Sequence, residues 1–255
     1  MSYFKYESKN IYYEELGAGR PLLLLHGNTA SSVMFSGIAG QYAHKYKVIL
    51  LDFLGHGKSG RLERFPADLW YEEALQAIEF LTKKEYRDVF LLGSSGGAIA
   101  AINIALERPG LVHKVIADSF EGTAAIDAFT ANIVNDRAYS KQNAGARVFY
   151  QAMQGDDWEN VVDNDTNAIA EHAKSIHAFF HKPISSLQAD ILMTGSNEDE
   201  FAAIMDKEFY KNTYSKMIKE IGHGEFYLFE HGGHPAMLSN QERFVRKTLS
   251  FLDKD

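Results

Sequence analysis

Ser95 stands at the centre of Gly93-Ser94-Ser95-Gly96-Gly97, a G-x-S-x-G pentapeptide that follows the apolar run Val89-Phe90-Leu91-Leu92 and precedes the small-residue segment Ala98-Ile99-Ala100-Ala101-Ile102. A strand that turns straight into a helix crowds the residues beside the turn. Glycine fits there, and the serine is held in a strained conformation with its hydroxyl clear of the sheet. A neutral hydroxyl is a poor nucleophile. It needs a histidine to take its proton, a carboxylate to fix the histidine tautomer, and backbone N–H groups to bind the negative oxygen of a tetrahedral intermediate. Ser94 is not central in the glycine-flanked triplet, so its side chain is expected to point elsewhere.

Three further segments could meet those needs. Ile191-Leu192-Met193-Thr194-Gly195 reads as a strand that empties into Ser196-Asn197-Glu198-Asp199-Glu200. Phe226-Tyr227-Leu228-Phe229 reads as a last strand running into Glu230-His231-Gly232-Gly233-His234-Pro235. Near the start, Leu22-Leu23-Leu24-Leu25 runs into His26-Gly27-Asn28-Thr29-Ala30, and a later loop reads Asp52-Phe53-Leu54-Gly55-His56-Gly57-Lys58-Ser59. In this order the features resemble the α/β-hydrolase superfamily, and the resemblance covers nearly the whole chain.

The resemblance implies the order serine, acid, histidine. Asp199 is then the expected acid and His234 the expected base, with His231 as the rival base. Members of the superfamily commonly place the acid three residues after the glycine that ends the strand, which here is Glu198. Asp199 is preferred because aspartate is the commoner acid. The expected oxyanion donors are the N–H of Gly96, at the positive end of its helix, and that of Asn28, with Thr29 as the alternative. Asp52 and His56 are expected to organise their loop. The superfamily includes esterases, lipases, thioesterases, amidases, lactonases and carbon–carbon bond hydrolases, so fold does not name the substrate. Haloalkane dehalogenases and epoxide hydrolases need an aspartate at the nucleophile position, where this chain has Ser95.

Elements must position these residues. Runs at Leu22–Leu25, Val48–Leu51, Val89–Leu92, Val115–Ala117, Ile191–Met193 and Phe226–Phe229 lack alternation, as strands buried on both faces do. Tyr3 to Tyr6 and Ile11 to Glu15 alternate and read as an edge hairpin. Helical stretches fall between: Ser32 to His44, Asp68 to Lys83, Gly96 to Glu107, Asp206 to Ile221 and Ala236 to Leu252. The class is α/β, a mostly parallel, doubly wound sheet. Between residues 120 and 183 the chain is far longer than the dozen or so residues that a crossover needs. That segment is expected to be a helical cap inserted in a core of residues 1–119 and 184–255. Its Phe129, Tyr139, Phe149, Tyr150, Met153, Trp158, Phe179 and Phe180 either roof an apolar pocket over Ser95 or hold the cap together.

Composition bounds the rest. The chain has 255 residues, 45% hydrophobic and 24% charged, with a formal charge of −8 and no cysteine. That composition is globular. The acidity and the lack of basic clusters argue against nucleic acid or an anionic membrane as partner. Disulfides and thiolate metal sites are excluded. The start of the chain does not read as a secretory signal, and the longest apolar stretch is too short to span a bilayer, so the expected location is cytoplasmic. His177 and His181 are spaced as helix-borne zinc ligands would be, but the metalloprotease pattern needs Glu where Ala178 stands. A structural role is expected for Asp118, which is also an alternative acid. His44, His113, His172 and His223 read as surface or helix-end residues.

The expected activity is hydrolysis of a carboxylic ester, or a related acyl bond, of a small apolar substrate, with no metal or organic cofactor. Hydrolysis of a carbon–carbon bond in a dicarbonyl compound is the alternative. A ligand receptor that keeps the hydrolase shape is a third reading.

Overall fold

Leu22 and Leu24 project to one side of their strand and Leu23 and Leu25 to the other, because strand side chains alternate, and all four are fully buried. The absence of alternation in the sequence is thus explained by two covered faces. On one face Leu22 and Leu24 join Phe90, Leu92, Ile116 and Leu192 against Phe244, Val245 and Leu252. On the other, Leu23 and Leu25 join Leu91, Val115 and Ile191 against Ala74, Ala101 and Met217.

The computed structural model describes residues 2–254. Its strands are β1 (Ser2–Tyr6), β2 (Lys9–Leu16), β3 (Pro21–Leu25), β4 (Lys47–Leu51), β5 (Val89–Ser94), β6 (Val112–Asp118), β7 (Asp190–Ser196) and β8 (Glu225–Phe229). They form one eight-stranded sheet in the order β1-β2-β4-β3-β5-β6-β7-β8. The β1–β2 and β2–β4 pairs are antiparallel and the rest are parallel. The helices are α1 (Ala39–Tyr42), α2 (Leu69–Lys83), α3 (Gly96–Glu107), α4 (Asp127–Thr130), α5 (Ile133–Ser140), α6 (Ala144–Gln154), α7 (Trp158–Ser175), α8 (Glu200–Ile204), α9 (Phe209–Ile221), α10 (Ala236–Ser239) and α11 (Gln241–Leu252).

Helices α4–α7 all lie between β6 and β7. The two ends of this segment meet. Ala124 bridges Ala178, Ala125 N–H donates to the His177 carbonyl at 2.9 Å, and Phe179 N–H donates to the Thr123 carbonyl at 3.0 Å.

Three expected helices differ in extent. Ser32 to His44 is a 3-10 turn over Ser32–Phe35 followed by the short α1. Gly37 and Gly40 fall in this stretch, and each costs a helix interior about 1 kcal/mol relative to alanine. The segment from Ala236 to Leu252 breaks at Asn240, whose side chain turns back to donate to the His231 carbonyl at 2.9 Å. The stretch after β7 holds an extra helix, α8, and α9 starts only at Phe209, after Asp206 has bonded Glu208 N–H at 2.7 Å.

Candidate active site

Ser95 follows β5 and precedes α3 with φ 56° and ψ −125°, a left-handed backbone that costs a non-glycine residue about 1–3 kcal/mol. The neighbouring glycines explain how the turn closes. A Cβ on Gly93 would stand 2.0 Å from the Gly97 carbonyl oxygen, and one on Gly97 would stand 2.1 Å from that of Leu25. Ser95 N–H donates to the Asp118 carbonyl at 2.7 Å, tying the turn to β6.

His234 reaches this serine from the loop after β8. Its Nε2 lies 3.0 Å from Ser95 Oγ and its Nδ1 lies 2.9 Å from Asp199 Oδ2. Asp199 is fully buried and caps α8, with Oδ1 accepting from Phe201 N–H at 3.0 Å. Aspartate is a favoured N-cap, and a cap that spends one oxygen on its helix leaves the other fixed in direction. The three residues placed together by their order in the sequence are therefore in contact. Burial pushes the His234 imidazole down, but the hydrogen bond to Asp199 and its charge outweigh this and hold the pKa above 6.5. An imidazole held like this can accept the hydroxyl proton and be stabilised as imidazolium.

The rival residues pair with each other instead. His231 Nδ1 lies 2.9 Å from Glu198 Oε1, and both side chains are exposed, at 71% and 58%. Asp118 is buried and accepts from Ser94, Thr194 and the N–H of Met237, so Ser94 points away from the cleft and Asp118 braces β5, β7 and α10. Burial pushes its carboxyl up to about 6. His177 and His181 lie beyond the end of α7 and meet different carboxylates, Asp127 at 3.2 Å and Asp68 at 2.6 Å. His172 is in the last turn of α7 but is buried, not on the surface, against Trp70 and Phe179.

Asn28 lies on the loop after β3, and among the described residues its backbone N–H meets no acceptor. Gly96 N–H belongs to the first turn of α3, where a helix supplies no acceptor. The Thr29 N–H is committed, donating to Asp165 Oδ2 at 3.1 Å. That bond disfavours the alternative donor.

Ser95 and His234 open on a cavity of about 510 Å³ whose walls include Met34, Phe129, Ile133, Phe149, Ile169 and Phe201. Of the cap aromatics, Phe129, Phe149 and Tyr150 line it, whereas Trp158 and Phe179 are buried within the cap and core and Tyr139 is 74% exposed. Glu121, Asp136, Arg137 and Glu200 also reach it. Glu121 lies three residues past the end of β6, and burial raises its carboxyl to about 7.

Sequence reading missed a buried polar cluster beside the loop after β3. Asp165 of α7 is fully buried with its Oδ2 2.9 Å from Asn28 Nδ2 and 3.5 Å from His56 Nε2. His56 is itself fully buried, with Glu73 at 3.9 Å on its other nitrogen and His26 and Phe65 against its ring. Asp52 does organise its loop, accepting from Ser32 N–H at 2.7 Å and Lys58 N–H at 2.8 Å. The only signal for Asp165 was a carboxylate on the inward face of an amphipathic helix. Nothing in the sequence linked it to a loop 137 residues away.

The model of the alpha/beta hydrolase family matches residues 22–247. The chain belongs to that family. It is similar to 2-hydroxy-6-oxo-6-(2'-aminophenyl)hexa-2,4-dienoic acid hydrolase of Metapseudomonas resinovorans, at 24% identity over 95% of this chain and 87% of that protein. It is 33% identical to the pimeloyl-[acyl-carrier protein] methyl ester esterase of Aeromonas salmonicida (strain A449), over 42% of this chain and 40% of that protein. Four further curated relatives are likewise matched over less than half of their own length. The fold superposes on the enol-lactonase from Burkholderia xenovorans LB400 with a TM-score of 0.79 at 12% identity, covering 99% of this chain and 100% of that one. No helix among the described residues is long and apolar enough to cross a membrane.

Proposed function

We propose that this alpha/beta hydrolase cleaves a carboxylic ester, or a related acyl bond, of a small apolar substrate through an acyl-enzyme. The hydrogen-bonded chain from Ser95 Oγ through His234 to Asp199, at 3.0 and 2.9 Å, carries the reading. His234, oriented by Asp199, takes the Ser95 proton as the oxygen bonds to the carbonyl carbon. The N–H groups of Asn28 and Gly96 stabilise the oxyanion. Collapse breaks the bond to the leaving alcohol, which receives the proton from His234, and water then repeats the sequence on the acyl-enzyme to release the acid and free serine. The apolar walls of the cavity favour a hydrocarbon acyl or aromatic group.

Hydrolysis of a carbon–carbon bond in a dicarbonyl compound is the second reading. Similarity over nearly the whole chain to a hexadienoic acid hydrolase favours it. The same serine and base would serve, with carbon protonated before the bond breaks.

Turnover of p-nitrophenyl acetate by the wild type and by Ser95→Ala tests the proposal. The substitution is expected to lower kcat about a thousand-fold or more. Near-full activity in the variant would end the acyl-transfer reading, and a dienol dicarbonyl hydrolysed faster than any ester would move the assignment to the second.

A further inference from the structure

Thr29 has φ at +57°, a left-handed backbone that a β-branched residue adopts only when its surroundings force it. Two cap charges surround it. Asp165 of α7 accepts from Thr29 N–H at 3.1 Å and from Asn28 Nδ2 at 2.9 Å. Arg137 of α5 donates from Nη1 to Thr29 Oγ1 at 3.1 Å and to the Tyr150 hydroxyl at 3.1 Å. Thr29 Oγ1 closes back on the Asn28 carbonyl at 2.6 Å.

The core holds the other side of the same loop. Trp70 Nε1 donates to Asn28 Oδ1 at 3.1 Å. A Cβ on Gly96 would stand 2.2 Å from that oxygen, so the Asn28 side chain occupies the space that this glycine leaves open. Both proposed oxyanion donors thus meet at one side chain, and the cap grips that side chain through a single carboxylate. Burial alone would raise the Asp165 carboxyl, but His56, Arg137 and Asn28 outweigh it and hold the group below the usual carboxylate range. It is an anion at neutral pH, and an ionised acceptor makes the stronger hydrogen bond. Its second oxygen is buried without a hydrogen-bond partner among the described residues.

We propose that Asp165 is a positioning residue: from the cap it fixes the Asn28–Thr29 backbone so that the Asn28 N–H is presented to the oxyanion beside that of Gly96. With Arg137 it makes this donor conditional on the cap being seated. The proposal rests on the acyl-transfer reading, because the donor has work to do only if an oxyanion forms.

The test compares kcat and KM for p-nitrophenyl acetate in the wild type, Asp165→Ala and Asp165→Asn, with Ser95→Ala alongside. Losing an oxyanion donor outright costs about 10²–10³ in kcat, so a donor left unsupported by Asp165→Ala is expected to cost about 10–100-fold, with KM within about threefold. Asp165→Asn should recover much of that loss, since an amide oxygen can still accept from Asn28 Nδ2 and Thr29 N–H. A trifluoromethyl ketone, which forms the tetrahedral adduct, should lose affinity by the factor that kcat/KM loses.

A folded Asp165→Ala enzyme with kcat within twofold of wild type would overturn the proposal. So would a loss confined to KM with the ketone binding unchanged. Should Asp165→Ala fail to fold, Asn28→Ala cuts the same tie from the loop side, and unchanged kcat and ketone affinity there would overturn the proposal equally. Activity surviving in Ser95→Ala instead strikes the acyl-transfer reading itself, so the two failures are distinguishable.

Discussion

In the proposed reaction the His234 ring meets two demands that run in opposite directions with pH. As a base it must be neutral, yet Asp199 favours its charged form and raises its pKa above 6.5. Activity is therefore expected to rise with pH to a midpoint above 6.5, measurable as the pH dependence of kcat/KM for an ester whose chemistry limits the rate. Stability should run the other way. A raised folded-state pKa contributes fully below the unfolded value and is lost as pH rises through the folded value. The pair stabilises most where the base is inactive. At the same scale, Asp199→Asn should lower kcat by orders of magnitude, as loss of the orienting carboxylate does in such triads, while Glu198→Gln should leave kcat within about twofold, because Glu198 bonds the exposed His231 and the Gly232 N–H rather than His234. Steady-state kinetics of the two variants on one ester decide it. The structure adds a reason beyond frequency for the choice between these neighbours: aspartate is a favoured helix cap, and a helix starts at Glu200.

Strands were easier to read than helices, and the packing explains why. A strand such as β3 is buried on both faces and shows an unbroken run of leucines. Its burial also makes it costly to alter. Leu24→Ala should destabilise the protein by about 2–5 kcal/mol, whereas Val134→Ala, at a position 55% exposed, should change it by less than about 0.5 kcal/mol. Urea unfolding of the two variants, compared by midpoint at constant slope, measures the difference. Helix ends depended on side chains bonding across the fold. Asn240 breaks the last helical stretch because it reaches the His231 carbonyl, a partner that periodicity does not reveal. The extra helix α8 was hidden for a similar reason, since it is one turn long and held by its cap to the site.

Across the whole molecule, what could be read depended on how far apart the interacting residues lie and whether a pattern marks them. Ser95, Asp199 and His234 are distant in sequence, but each sits in a local pattern of strand, turn and glycine that marks it independently. Asp165, Arg137 and Glu121 carry no such mark. Their importance comes from how the cap is seated on the core, which the sequence does not encode in any short window. His56 shows both cases at once: its loop was legible, but its burial against Glu73 and Asp165 was not.

The meeting of Thr123–Ala125 with His177–Phe179 gives the roof of the cavity a narrow stalk, with entry and exit laced together by a few backbone bonds. The segment above that stalk adds no strand to the sheet, and beyond the stalk it holds the core through its own ties, such as the Gln154 side chain between the Ala30 carbonyl and the Gly57 N–H. Among those ties is the pair of charges reaching down to the loop after β3. Any transplanted roof that omits them would inherit the nucleophile intact and lose the grip on the group that should receive the negative charge.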